Sequence, residues 1–113
     1  MSALDKQGIY IAGPMTGLPN FNFESFDEAK HWLQTAMGRE NVISPADMDR
    51  ELGLEPDENG DIQGFDYKAA IRRCCDAICD CDAIYMLIGW ENSKGARMEH
   101  ALAVCLGMDI IYE

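Results

Sequence analysis

The strongest chemical feature of the sequence is an acid one turn inside an otherwise apolar predicted helix. From Met98 the chain reads Met-Glu-His-Ala-Leu-Ala-Val-Cys-Leu, and we expect this helix to be covered on most sides. A carboxylate partly removed from water can serve as a nucleophile or a base, which is one interpretation of Glu99. The other is an exposed first-turn acid that complements the helix dipole. We expect His100, rotated by about 100° on the helix, to be partly buried and hydrogen-bonded.

The loop before this helix favours an anion. It reads Gly-Trp-Glu-Asn-Ser-Lys-Gly over residues 89–95, and its small residues let a ligand approach the free N–H groups of a helix start. Lys94 and Arg97 are the only basic residues after Arg73, so positive charge collects beside this loop. Either residue could contact an anion, and the alternative is that both are solvated surface charges.

The elements that must position these residues form an α/β pattern. Short β-branched runs alternate with helical periodicity, which predicts a parallel sheet of about four strands covered by helices, in the order β-α-β-α-β-α-β. We predict strands at 8–13, 41–44, 82–88 and 109–112, and helices from Asn22 to near Gly38, over 65–78 and over 96–106. The inner stripe of the first helix is predicted to be Phe26, Ala29, Leu33 and Ala36.

The expected strand order places a cleft between two loops. With the order 2-1-3-4, the order reverses between the first and third strands, and ligands bind beyond the carboxyl ends of the strands at such a point. The loops there are 14–21, which opens with Pro14, Met15 and Thr16 after Gly13, and 89–95. The polar segment 45–64, with an Asn59-Gly60 turn signal, is interpreted as a long surface loop with a helical turn near 47–52.

Composition limits the function classes. A chain of 113 residues allows one domain, 1–113, and a formal net charge of -11 disfavours a nucleic-acid polymer or an anionic membrane as partner. No secretory signal or membrane span is recognised, so we expect a reducing cytoplasm, where the five cysteines are small apolar residues. Cys75, Cys79 and Cys81 lack the paired spacing of a zinc site, and we predict no metal and no cofactor.

Three segments carry a family resemblance that covers 9–112. The chain resembles the nucleoside 2-deoxyribosyltransferase-like proteins, and most closely their DUF4406 branch, which is common in bacteriophages and prophages. The segments are Ile-Tyr-Ile-Ala-Gly-Pro-Met-Thr-Gly at 9–17, Cys-Asp-Ala-Ile at 81–84 and Gly-Trp-Glu-Asn-Ser-Lys-Gly-Ala-Arg-Met-Glu-His-Ala at 89–101. The resemblance implies a small flavodoxin-like or Rossmann-like sheet with helices on both faces. It also implies a homodimer or larger homo-oligomer and, for a phage protein, the cytoplasm of a bacterial host.

The resemblance further implies cleavage of an N-glycosidic bond. Glu99 matches the family's nucleophile, which attacks C1′ to form a glycosyl ester, and Tyr10 matches the tyrosine that orients it. Ser-x-Gly-x-x-x-Glu, here from Ser93 to Glu99, matches the branch that hydrolyses nucleoside 5′-monophosphates. The binding residues then expected are Gly13, Pro14, Met15, Thr16, Trp90, Ser93, Lys94, Gly95 and Arg97. Alternatives are base exchange and a catalytically weak nucleotide-binding protein.

The sequence also departs from the family pattern. Active members carry a catalytic Asp eight residues before the position of Asp82, and Cys74 occupies that position here. Asp76 is rotated by about 200° on the helix, which makes it a poor substitute. Glu91 is a further candidate acid from the loop. Trp90 could stack on a base, although packing beneath the loop is the alternative that we favour.

Overall fold

Four parallel strands form the sheet, as predicted. The computed structural model describes residues 8–59 and 61–113. The strands are β1 (Ile9–Ala12), β2 (Val42–Ile43), β3 (Ala83–Met86) and β4 (Asp109–Tyr112), and their order is β2-β1-β3-β4. In the register of the sheet, Tyr10 lies between Ile43 and Ile84. This order confirms that the reversal falls between β1 and β3.

Within residues 8–59 and 61–113, four α-helices connect the strands, one more than the three full helices predicted. They are α1 (Phe23–Thr35), α2 (Pro45–Glu51), α3 (Tyr67–Cys79) and α4 (Lys94–Leu106). Short 3-10 turns cover Pro19–Asn22 and Trp90–Asn92. In the described residues, no helix is both long enough and apolar enough to cross a membrane. The architecture is that of a small Rossmann-like or flavodoxin-like α/β fold.

Helix α2 confirms the helical turn predicted near 47–52 and corrects the surface-loop interpretation for 45–51, whereas the described residues of 52–64 form no helix or strand, as predicted. Ser44 caps the helix, because its Oγ accepts a hydrogen bond from the Ala46 N–H at 3.2 Å, and Pro45 stands at the first helical position. Ala46 is fully buried, so this segment is packed against the body of the domain. The predicted Asn59-Gly60 turn includes Gly60, which lies outside the described residues.

The apolar core lies on both faces of the sheet. One cluster joins α1 to the sheet through Phe26, Ala29 and Leu33, as the predicted stripe requires, and the other includes Ile78 of α3 and Ala103 of α4. Ala36, predicted to face inward, is exposed, because α1 ends at Thr35. A second prediction, that the last helix (α4) is covered on most sides, is wrong for a single copy of the chain.

Helix α4 has an open apolar face. Its buried residues are Ala96, Glu99 and Ala103, whereas Val104 is 57% exposed and Leu106 is 48% exposed. The helix packs on α3 and the sheet along one side, and its other side faces solvent because this small domain has no further layer.

A left-handed turn shapes the end of the loop that follows β1. Asn20, Phe21 and Asn22 have φ values of 52°, 54° and 59°. Each such residue costs about 1–2 kcal/mol, so the surrounding contacts must hold the turn. Asn22 Nδ2 donates to the Pro14 carbonyl at 2.9 Å instead of capping α1, and buried Phe21 packs edge-to-face on Phe65 with ring centroids 5.4 Å apart. The turn thereby brings an aromatic side chain back beneath the loop.

Candidate active site

A cleft of about 480 Å³ lies where the sequence predicts the site, beyond the carboxyl ends of β1 and β3. Both predicted loops contribute to it, together with α2, α3 and α4. The predicted residues that line it are Gly13, Pro14, Met15, Thr16, Ser93, Lys94, Gly95 and Glu99. The volume is within the range of pockets that bind small organic ligands.

Glu99 is a buried acid on the wall of this cleft. It is 6% exposed, and its Oε2 accepts a hydrogen bond from the Tyr10 hydroxyl at 2.6 Å. Burial raises the pKa of Glu99 to about 7, while the hydrogen bonds from Tyr10 and Cys74 oppose that rise. The side chain therefore gains and loses a proton near neutral pH, which suits a nucleophile or a base.

Tyr10 does not line the cleft. It is fully buried in the middle of the sheet, and burial, followed by the nearby Glu99 carboxylate, raises the pKa of its hydroxyl well above the usual value. The phenol therefore stays protonated and donates to Glu99. This contact fixes the direction of the Glu99 carboxylate on the wall of the cleft.

Cys74 lies beside both groups and lines the cleft from α3. Burial, and then the negative charge of Glu99, raises the pKa of its thiol to about 12. A neutral thiol is a weak hydrogen-bond donor and a poor nucleophile. At the position where the family resemblance implies an acid, the chain thus presents a neutral group.

The start of α4 supplies hydrogen-bond donors and a positive charge. Ser93 caps the helix, since its Oγ accepts from the Ala96 N–H at 3.2 Å, and this leaves the hydroxyl hydrogen free to donate into the cleft. Lys94 lines the cleft beside it, whereas Asp49 and Glu99 are the acidic residues of the lining. A helix start with Ser93 and Lys94 can bind an anionic group locally, although the chain as a whole is acidic.

Gly13 is required by close packing at the end of β1. A Cβ atom on Gly13 would lie 2.7 Å from the Cβ of Leu87, which is closer than side-chain atoms approach one another. Any larger residue would therefore push β1 away from the chain that follows β3 and widen the cleft at its base.

Two predicted binding residues do not line the cleft. Trp90 stacks on His100 with ring centroids 4.3 Å apart, and His100 Nε2 lies 2.8 Å from the Tyr112 hydroxyl. The packing alternative for Trp90 and the prediction of a partly buried, hydrogen-bonded His100 both agree with these contacts. Arg97 is exposed and also lies outside the cleft lining.

The two further candidate acids, Glu91 and Asp76, are exposed and do not line the cleft. Asp76 is turned away on α3, as the helical rotation predicted. Within the described part of the chain, no three His, Cys, Asp or Glu side chains are grouped so that they could hold a metal ion.

The sequence analysis missed one side of the cleft. Aromatic and aliphatic residues line it there together with a buried acid, Asp49, and these include Phe21, Phe65, Tyr67 and Ile71. The predicted helical turn near 47–52 and the Ser-Pro helix start at 44–45 were the sequence signals that part of the middle segment is ordered. An apolar wall beside polar groups fits a flat, partly apolar ligand.

A protein-family model matches nearly the whole chain. The family model described as "Domain of unknown function (DUF4406)" matches residues 7–112. No curated protein and no solved structure matches the chain significantly.

Proposed function

The chain belongs to the DUF4406 family, and we propose that it cleaves the N-glycosidic bond of a small nucleoside 5′-monophosphate. The observation that carries the proposal is the buried Glu99, which accepts a hydrogen bond from Tyr10 at 2.6 Å on the wall of a cleft. A buried, oriented carboxylate that titrates near neutral pH suits nucleophilic attack on a sugar carbon.

The proposed reaction has two steps. The ionised Glu99 carboxylate attacks C1′, the bond between C1′ and the base nitrogen breaks, and the base leaves with the electron pair and takes up a proton. Water then attacks C1′ of the glycosyl ester and loses a proton, which releases the sugar phosphate and restores the carboxylate. A second base in place of water would give base exchange, the nucleoside 2-deoxyribosyltransferase reaction.

The start of α4 supports a phosphorylated substrate. Ser93 stands six residues before Glu99, which is about 9 Å along a helix at 1.5 Å per residue. That spacing allows the Ser93 hydroxyl and Lys94 to contact a 5′-phosphate while Glu99 faces C1′. Gly95 offers close backbone approach at the same place.

Base release from a panel of nucleotides tests the proposal. Deoxyribonucleoside and ribonucleoside 5′-monophosphates, with the matching nucleosides, are incubated with the protein, and free base is measured by chromatography. We expect release from monophosphates and a loss of about a thousandfold or more in Glu99→Gln. Glu91→Gln, which changes an exposed acid outside the cleft, is the matched control. Equal base release by Glu99→Gln and the wild-type protein would rule out Glu99 as the nucleophile.

Cys74 favours a second candidate function, nucleotide binding with little or no turnover. Its neutral thiol cannot act as the carboxylic acid that the family resemblance implies at this position. A protein of this kind would be stabilised by a nucleotide but would release no base. Cys74→Asp distinguishes the two functions, because base release that appears only in this variant would identify the missing acid as the cause.

We also propose that the protein forms a homodimer or larger homo-oligomer. A second copy would cover the open face of α4, which carries exposed Val104 and Leu106 together with Ala101 and Cys105. Apolar side chains on one helix face are typical of an interface. Light scattering tests this: Val104→Asp is expected to shift the protein to monomers, and a monomeric wild-type protein would contradict the proposal.

A further inference from the structure

Asp49 is the second buried acid that lines the cleft. Its side chain on α2 is 8% exposed, and the partner found among the described residues is Arg73, whose Nη2 lies 3.7 Å from Oδ1. That distance is beyond a hydrogen bond. Buried carboxylates normally accept hydrogen bonds, because leaving them unpaired costs free energy. Asp49 is therefore ion-paired with Arg73 without a hydrogen bond at that distance, and its carboxylate, which lines the cleft, keeps acceptor sites for a ligand.

Asp49 of α2 and Ser93 at the start of α4 line the same cleft as Glu99. Ser93 is about 9 Å from Glu99 along α4, at 1.5 Å per residue. The Asp49 carboxylate would repel a phosphate, which favours Ser93 and Lys94 for that group. A nucleotide with its phosphate at Ser93 and C1′ at Glu99 then has Asp49 and the apolar wall that includes Phe65 and Ile71 left to contact its base.

We propose that Asp49 selects the base, and that the ligand carries a base with an exocyclic amino group: cytosine, adenine or guanine. This inference rests on the proposed function, because it places a nucleotide in the cleft. An ionised carboxylate only accepts hydrogen bonds, so it pairs with an amino group and is repelled by a carbonyl oxygen at the same position. A site that presents a buried acceptor discriminates strongly against a ligand that lacks the donor.

The test is binding to matched nucleotides in Glu99→Gln, which prevents turnover. The pairs are deoxycytidine with deoxyuridine monophosphate and deoxyadenosine with deoxyinosine monophosphate, since each pair exchanges an amino group for a carbonyl. By calorimetry we expect the amino-bearing member to bind at least about tenfold more tightly. Adding Asp49→Asn should reduce the preference to about threefold or less, because an amide can donate as well as accept.

Asp47→Asn is the matched control on the same helix. Asp47 bonds to Lys30 at 2.6 Å and does not line the cleft, so this variant should keep the preference. Two results would overturn base selection by Asp49: equal affinity for both members of each pair in Glu99→Gln, or an unchanged preference after Asp49→Asn is added. If the wild-type protein still releases base, the proposed function stands in either case. Loss of all nucleotide binding in Asp49→Asn would assign Asp49 to structure instead. Absence of both binding and base release in the wild-type protein would overturn the proposed function as well.

Discussion

The Tyr10 hydroxyl donates a 2.6 Å hydrogen bond to Oε2 of Glu99, across 89 positions of sequence. Tyr10 belongs to β1 and Glu99 to α4, so the bond joins the sheet to the helix that lies on it. Both residues are buried, which makes the contact strong and its loss costly. The bond fixes where the carboxylate points and how readily it loses its proton.

Tyr10→Phe should raise the pKa of Glu99 above its value of about 7, because the hydroxyl lowers that pKa by bonding to the carboxylate. Carbon-13 NMR of the labelled carboxyl group measures this directly. The acidic limb of any base-release profile should move to higher pH in the same variant, since attack requires the ionised form. Tyr112→Phe is the control, because the Tyr112 hydroxyl contacts His100 and not Glu99. An unmoved titration in Tyr10→Phe would contradict the prediction.

The free energy of unfolding should depend on pH because Glu99 titrates differently in the folded and unfolded states. Its pKa is about 7 in the folded protein against an ordinary value of 4.5, so between these values the folded state holds a proton that the unfolded chain has lost. The resulting stabilisation is complete below pH 4.5 and is lost as pH rises through 7. The total is on the order of 3 kcal/mol.

Urea denaturation between pH 5 and pH 8 checks this dependence. Glu99→Gln stays neutral, so its stability relative to the wild-type protein should rise with pH by most of that amount. Glu91→Gln, on the exposed loop, should follow the wild-type protein throughout. Parallel curves for Glu99→Gln and the wild-type protein would show that Glu99 does not titrate in this range.

A comparison of two serine N-caps tests whether Ser93 contacts a phosphate in addition to capping its helix. Ser93 caps α4 and Ser44 caps α2, each accepting from a backbone N–H at 3.2 Å. Replacing either with alanine should lower the stability by about 1 kcal/mol. Ser93 lines the cleft and Ser44 does not. Only Ser93→Ala should therefore weaken the thermal stabilisation by a nucleoside monophosphate relative to its nucleoside, and an equal effect of both variants would refute phosphate contact by Ser93.

Thiol alkylation should follow exposure and thiolate content. Cys79 and Cys105 are exposed, whereas burial raises the pKa of Cys74 to about 12 and that of Cys81 to about 11. Since the thiolate is the reactive form, iodoacetamide at pH 8 should modify Cys79 and Cys105 first. Mass spectrometry of the digested protein measures the order. Rapid labelling of Cys74 would show that its thiol is not the neutral neighbour of Glu99 described above.

The sequence by itself determined the sheet and half of the cleft. Alternating strand and helix patterns predicted β1 to β4. With the strand order 2-1-3-4, which the structure has, the carboxyl ends of β1 and β3 meet at one edge, and this rule predicts that Gly13 to Thr16 lie beside Ser93 to Glu99. These features follow from local periodicity and spacing, because short-range backbone geometry sets both.

Tertiary structure decided the other half of the cleft and which of the predicted side chains turn away from it. Asp49 lies in the helical turn predicted near 47–52 within a surface loop, and only the docking of α2 on the rest of the domain buries its carboxylate. Trp90 belongs to a predicted site loop, yet it turns away to stack on His100. Burial and side-chain direction depend on contacts between distant parts of the chain, so no local sequence pattern predicts them. The contact between the uncharged Cys74 thiol and Glu99 also depends on tertiary structure, because it forms only where α3 packs on α4.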